Sequence, residues 1–401
     1  MRIALLTDEY LPTGIRVHAK MIHELASEFE RNGHSAVVIT PGEPNQLSRL
    51  IIDSFDGIEV WRFRSGYTRG VGLFKRAINE WLLSFRAWHA VSTEVNAKSF
   101  DLCINYSPTI FFGPLARKLS KNGTYIYQIQ RDMFPQWAID QGLISQRSLP
   151  AIFFRYYERL NYSVADCIGL QSKINLDLFR ENFPSYENVK ILMNWSSTSP
   201  LLDSEVRSIV RKDYGLSGKI VFFYGGNIGH GQDMANIMRL AKNLLNFDLA
   251  HFLIIGQGDE FDLIKELKSR WGLTNVTILP SVSQLEFRRV LTAVDVGLFS
   301  LSKKHTAHNF PGKLLGYMVE SIPILGSVNH GNDLLTMVNE YDAGFVYVNG
   351  QDDLLMRAAI NLLRDKKMRN DRGKNARTLL LKHFSVESAA KSIFQEVQKQ
   401  V

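Results

Sequence analysis

The chain has 401 residues, 45% of them apolar and 22% charged, a length beyond one ordinary core and a composition that excludes a disordered polypeptide. Its net charge of +7 is shared almost evenly, with 22 basic against 19 acidic residues in 1–200 and a net +4 in 201–401. That spread argues against a nucleic-acid binder, whose basic groups gather on one face or stripe. Cys103 and Cys167 each sit in an apolar run and read as buried thiols rather than a disulfide framework. Met1 leads straight into a strand-like run, so no signal peptide is expected, and no apolar stretch reaches the roughly 18–20 residues of a membrane span. A cytoplasmic protein is expected, at most peripheral to the inner face of the cell membrane.

In chain order, Ile3–Leu6 predicts a strand, 8–17 a loop, His18–Asn32 a helix closed by Gly33, and Ala36–Ile39 a second strand, the opening of a parallel α/β sheet. Further strands are predicted at Gly57–Arg62, Leu102–Asn105, Tyr125–Gln130, Cys167–Leu170 and Lys190–Met193. The apolar spacing over 73–88 predicts one helix, on which Phe74, Ile78, Trp81, Leu82, Phe85 and Trp88 share a face. Residues 61–90 carry six basic side chains against Glu80 alone, interleaved with aromatics. Such a helix packs on a sheet or lies in the interface of an anionic membrane.

The second half repeats the pattern. Strands are predicted at Ile220–Tyr224, Phe252–Ile255, Val276–Leu279, Val296–Phe299, Ile324–Gly326 and Gly344–Val346. Helices are predicted at 232–246, 260–271, 284–293, 312–320, 332–340 and 352–364, with a last one at Ser385–Lys399. The weakly periodic, serine-rich stretch 194–214 marks the divide. The expected organisation is a doubly wound domain over 1–198, a second over 199–380, and a C-terminal helix in 381–401 packing back toward the first. Two such lobes would leave a central cleft at the carboxyl ends of their strands, where α/β sheets bind ligands.

Several turns at those ends suit an anion. Gly225-Gly226-Asn227-Ile228-Gly229-His230 follows a strand and opens a helix, so its amides would approach a phosphate; a tight turn explains it equally. It lacks the dinucleotide glycine spacing and a Walker lysine. Gly256-Gln257-Gly258 is a second such turn, and Ser281 ends the following strand where a base would stack or a plain loop would do. The segment 304–318 is the most informative. Pro311 suits a first helical position, the amides of Gly312 and Lys313 would face outward, and Lys313 adds a full charge. In the first half, Gly14 and Arg16 form a turn into a helix. Asp132 follows a strand, where a carboxylate would accept a proton, orient a hydroxyl, or pair with Arg131.

With these residues the chain resembles the retaining GT-B glycosyltransferases of the large sucrose-synthase and mannosyltransferase type. The Gly14 loop, the 225–229 turn, Gly256-Gln257-Gly258 and Asn309–Met318 followed by Pro323-Ile324-Leu325 carry the likeness over nearly the whole chain. Asn309-Phe310-Pro311-Gly312-Lys313 and Gly331-Asn332-Asp333-Leu334 make it most similar to bacterial O-antigen and capsule N-acetyl-L-fucosamine transferases. The resemblance implies an α/β GT-B fold with two Rossmann-like domains, a nucleotide diphosphate-sugar donor, UDP-linked, on the second domain, and a polyprenyl-diphosphate-linked saccharide acceptor on the first. It also implies retained anomeric configuration, with no metal and no other cofactor. Asp132 falls where the family places a His or Asp beside the sugar, and His308 falls at the first position of its Glu-x7-Glu pair. Gly316 falls at the second, so both carboxylates are missing, and Glu320 one turn on is a substitute for the ribose contact. The usual phosphate-binding Arg and Lys fall on Asn227 and Gln232, leaving His230, Lys313 and Arg16 to compensate charge. Gly14, Gly226, Gly256, Ser281, Asn309, Phe310, Gly312, Asn332 and Asp333 complete the implied donor site. Two other functions share such a fold: a nucleotide-sugar epimerase and a non-catalytic nucleotide-sugar-binding subunit.

Overall fold

The computed structural model describes every residue except 15–16, 68–70, 108, 141, 202–203, 304–309 and 400–401. The chain forms two compact units, Met1–Met193 with Val386–Val401, and Asn194–Ser385.

The first unit is built on an eight-stranded sheet: β1 (Arg2–Leu6), β2 (Ser35–Pro41), β3 (Leu50–Phe55), β4 (Ile58–Phe63), β5 (Leu102–Tyr106), β6 (Tyr125–Gln130), β7 (Cys167–Leu170) and β8 (Val189–Ile191). Their order is β3-β4-β2-β1-β5-β6-β7-β8, parallel throughout except for β3. Runs such as Ala36-Val37-Val38-Ile39 are wholly buried, as expected of parallel strands covered on both faces. Both cysteines lie buried and free in β5 and β7. The helix Val17–Arg31 turns Ile22, Leu25 and Phe29 inward, and the C-terminal helix Val386–Gln398 packs on it, with Phe394 5.1 Å from the Phe29 ring.

The second unit has six parallel strands: β9 (Ile220–Asn227), β10 (Ala250–Gln257), β11 (Val276–Leu279), β12 (Val296–Ser300), β13 (Ile324–Val328) and β14 (Gly344–Val348). Their order, β11-β10-β9-β12-β13-β14, reverses direction between β9 and β12. In the first unit the same reversal falls between β1 and β5. Such switch points leave a crevice beyond the carboxyl ends of the two strands, where the connections diverge to opposite faces.

Four elements depart from the sequence reading. β3 was not foreseen: it is a short antiparallel edge with Ile51 and Ile52 exposed, so burial leaves no pattern on it. The single helix expected over 73–88 is two, Leu73–Trp81 and Leu83–Ala97, separated at Leu82. Leu83, Ala87, Ala90 and Val91 face the core, whereas Ile78, Trp81 and Phe85 are exposed. Ser204–Asp213 is helical within the stretch expected to be irregular, and Lys366–Leu379 adds a helix after 352–364.

Candidate functional site

In the second unit the switch point lies at the end of β9. Tyr224, the last wholly buried aromatic of that strand, donates its hydroxyl proton to the Asn227 carbonyl at 2.5 Å. Its ring lies under the ammonium of Lys313, whose Nζ is 3.4 Å from the ring centroid. That Nζ is out of contact with solvent and has no hydrogen-bond acceptor among the described residues. Burial drives the Lys313 amine well below its usual range. Lys313 opens the seven-residue helix Lys313–Val319, so Pro311 precedes the Gly312 cap rather than occupying the first helical position. Exposed Gly226, at φ +110°, leaves its outer side open; a side chain there would reach toward the lysine, its Cβ 3.8 Å from Lys313 Cε. A buried cation beside bare backbone at a switch point is suited to an anion.

The neighbouring residues have definite partners. Asn227 and Gln232, where the family's basic pair would stand, bond each other (Nδ2 to Oε1, 2.8 Å), and Gln232 Oε1 also accepts from the Gly229 amide. His230 is exposed between two acids, Nδ1 3.0 Å from Glu260 and Nε2 3.2 Å from Asp259. The Glu260 hydrogen bond and the Asp259 charge raise its pKa, so its charge is already matched by carboxylates. Gly256 pairs in register with Gly226, and a Cβ there would strike the Gly226 carbonyl, so this glycine is demanded by strand packing. Ser281 Oγ donates to Gln257 Oε1 at 2.9 Å on the surface. Phe310 packs on Phe384 with centroids 4.3 Å apart. Asn332 caps the helix Asp333–Glu340, accepting from the Leu334 amide, and Asp333 is the first residue of that helix. Gly316 faces Leu291, whose Cδ1 would lie 3.1 Å from an added Cβ. Glu320 is half-buried and accepts the Leu201 amide at 2.8 Å, so its carboxylate serves as a tie to that segment. His308, Asn309 and Arg16 lie outside the described residues. Among the described residues no group of three or more His, Cys, Asp or Glu side chains is placed to hold a metal ion.

The first unit has its own polar cluster at the β1/β5 switch point. Asp8 follows β1, Tyr106 ends β5, and Arg131-Asp132 follow β6. His18, buried on the first helix, meets Asp8 at 3.0 Å and stacks on the Tyr106 ring at 5.6 Å. Arg131 is buried and donates to the carbonyls of Leu192 and Met193. Asp132 reaches solvent, yet the surrounding protein desolvates it enough to raise its pKa, against the opposing pull of Arg131 and His18. Gly14 is buried, its amide bonded to the Tyr10 carbonyl at 2.8 Å, and a Cβ would collide with that carbonyl. The Asp8–His18–Tyr106 grouping was missed from sequence. The usable signal was positional: polar residues immediately beyond the apolar runs of the two central strands.

Two doubly wound units, each with polar groups gathered at its switch point, define the class: an α/β protein of the GT-B fold. Solved structures share that fold at low identity. Sucrose-phosphate synthase from Thermosynechococcus elongatus superposes with a TM-score of 0.69 at 13% identity, over 100% of this chain and 98% of that one. HepE from Anabaena, solved with UDP-glucose, gives 0.67 at 15% over the whole of both chains. WaaG, a glycosyltransferase involved in lipopolysaccharide biosynthesis, gives 0.64 at 14%, over 98% of this chain and 99% of that one. The profile of the glycosyl transferase 4-like domain matches residues 17–195, and that of the glycosyl transferases group 1 matches 206–379. Residues 206–379 thus belong to the glycosyl transferases group 1, and residues 17–195 to the glycosyl transferase 4-like domains. A probable glycosyltransferase, WbjE of Pseudomonas aeruginosa, is 24% identical over 53% of this chain and 54% of its own length. A putative colanic acid biosynthesis glycosyl transferase, WcaI of Escherichia coli, is 24% identical over 45% and 46%. In these matches the chain spans about half the length of the curated relatives.

Proposed function

We propose that this protein transfers an N-acetylated sugar from a UDP-linked donor to a polyprenyl-diphosphate-linked saccharide, with retention of anomeric configuration, in the assembly of O-antigen or capsule polysaccharide. The observation that carries the reading is the Lys313 ammonium, buried without an acceptor over Tyr224 at the β9/β12 switch point. A diphosphate supplies the missing negative charge, and departure of the nucleotide concentrates more charge on it, so the same amine stabilises the leaving group. In this reading Lys313 and main-chain N–H groups do the work of a divalent ion. Asp132, with its raised pKa, is assigned to the acceptor hydroxyl or a sugar hydroxyl, and His308 keeps the sugar-side role implied by the resemblance. Similarity to WbjE supports glycosyl transfer, similarity to WcaI supports the polysaccharide setting, and the fold shared with UDP-glucose-bound HepE supports the choice of base. The acceptor places the working protein at the cytoplasmic face of a membrane.

The test is thermal stabilisation by UDP-, GDP- and dTDP-sugars, followed by nucleotide release with lipid-linked acceptors. UDP-sugars should stabilise, by about 2.7 kcal/mol at a hundred times the Kd. Lys313→Met should weaken donor binding by roughly ten- to a hundredfold, the loss of a charge-assisted contact. Preference for GDP or dTDP would remove the UDP assignment. Donor conversion without acceptor would instead make the protein an epimerase, and donor binding without release under any acceptor a binding subunit.

A further inference from the structure

The helix Leu149–Val164 uses only one of its two apolar faces inside the protein. Tyr157 and Leu160 point inward and are buried. Leu149, Ile152, Phe153 and Tyr156 are 82%, 60%, 40% and 60% exposed, at spacings of three and four residues that form a single stripe. This stripe is continuous with exposed aromatics of the helices Leu73–Trp81 and Leu83–Ala97. Tyr157 accepts a hydrogen bond from Trp81 Nε1 at 2.5 Å, and the rings of Phe153 and Tyr156 lie 5.1 and 5.3 Å from that of Tyr157. Phe85, 55% exposed, lies 6.1 Å beyond Trp81. An uncovered apolar surface assembled from three helices marks a docking site.

Its charge is one-sided. Glu158, the only acid on Leu149–Val164, is turned inward beside Arg155, while Arg159 stays at the surface. On the neighbouring helices Lys75 and Arg76 are exposed and Glu80 is already paired with Arg76 at 2.7 Å. With Arg76 and Arg155 matched by Glu80 and Glu158, Lys75 and Arg159 leave the rim net positive, and apolar and aromatic groups so rimmed are complementary to an anionic headgroup layer over acyl chains.

We propose that Leu149, Ile152, Phe153 and Tyr156, together with Trp81 and Phe85, form one composite surface that inserts into the headgroup region of an anionic bilayer. This places the principal insertion on a helix outside residues 61–90. The partner rests on the membrane-held acceptor of the preceding reading; the surface itself does not depend on the transfer reaction.

The experiment is co-sedimentation of the full chain with vesicles of phosphatidylcholine alone or mixed with phosphatidylglycerol, at low and high salt. The wild type should bind the anionic vesicles, and binding should fall about tenfold or more on neutral vesicles or at high salt. Ile152→Glu/Tyr156→Glu should lower anionic-vesicle binding by about tenfold or more. Its thermal melting and its stabilisation by UDP-sugar should stay unchanged, because both side chains are exposed. Full binding by this variant with loss in Phe85→Glu would overturn the composite surface while leaving a membrane contact within 61–90. Indifference of the wild type to every vesicle would overturn both. Self-association of the wild type that the double variant abolishes would assign the stripe to a second copy of the chain and overturn the proposal. Loss of UDP-sugar stabilisation in the wild type would count against the donor site alone.

Discussion

An ammonium buried without an acceptor costs free energy, and among the described residues Lys313 has only the face of Tyr224 to offset it, worth about 2 kcal/mol once desolvated. Because burial lowers its pKa, an arriving diphosphate favours the protonated form, and binding at pH values above that lowered pKa should take up a proton. A UDP-sugar diester has no titration of its own there. Calorimetry in buffers of differing ionisation enthalpy should therefore show proton uptake, with affinity falling as pH rises, and Lys313→Met should remove both effects. Heats independent of buffer would mean that the amine enters no charge pair with the donor. Glu158 is the opposite case. Burial raises its carboxyl to about 7, although Arg155, Tyr162 and Arg159 pull it down. A folded-state pKa above the unfolded value means that the folded protein binds more protons between them. Stability should therefore fall as pH rises from about 4.5 toward 7, by up to about 2–3 kcal/mol. Subtracting the Glu158→Gln melting profile from that of the wild type isolates this slope; parallel profiles would show that the carboxyl titrates normally.

Elements with a continuous apolar run were legible in the sequence, because parallel strands buried on both faces leave no alternation to misread; β9, β10, β12 and β13 fall on such runs, while the edge strands β11 and β14 are only partly buried. β6 shows what periodicity conceals. Tyr-Ile-Tyr-Gln-Ile-Gln reads as a half-exposed strand, yet Gln128 and Gln130 are buried. Their amides extend a chain in which Asn105 donates to Gln128 at 2.6 Å and Asn161 at 2.9 Å, Gln128 donates to Gln130 at 3.2 Å, and Gln130 donates to the Asp132 carbonyl at 2.6 Å. The chain thus joins β5, β6 and the helix Leu149–Val164 to the loop that carries Asp132. Asn105→Leu orphans amides on both neighbours, so its cost should exceed a single hydrogen bond, at roughly 2–4 kcal/mol in denaturant unfolding. A change below about 1 kcal/mol would mean that the amides find other partners. The helix over 73–88 was misread for a related reason. Its apolar spacing runs unbroken through Leu82, with neither glycine nor proline to mark the division, and periodicity does not reveal which stripe meets the core.

At the scale of the molecule, the partner of Lys313 was beyond the sequence because Tyr224 and Lys313 lie 89 positions apart and only the crossing from β9 to β12 brings them together. The same holds for Asp8, His18, Tyr106 and Asp132, whose meeting depends on strand order. Long-range closure also governs the first unit as a whole. The chain leaves it after Met193 and returns at Val386, where the last helix contributes buried Ala389, Ala390, Ile393 and Val397 and sets Phe394 against Phe29 and His34, 5.1 and 4.7 Å away. This helix is therefore part of the first unit's packing, although the matched family profiles end at residues 195 and 379. Removing 386–401 should uncover the outer side of Val17–Arg31 and cost the first unit on the order of 5 kcal/mol, from lost apolar burial and the cavity left beside Phe29. Hydrogen exchange on the truncated chain should show fast amides across Val17–Arg31 and weakened protection in β2 and β4, the strands that helix covers. Amides of β9–β14, whose core is separate, should exchange as before. Unchanged protection of Val17–Arg31 would mean that the helix Val386–Gln398 contributes little to the stability of the unit it joins.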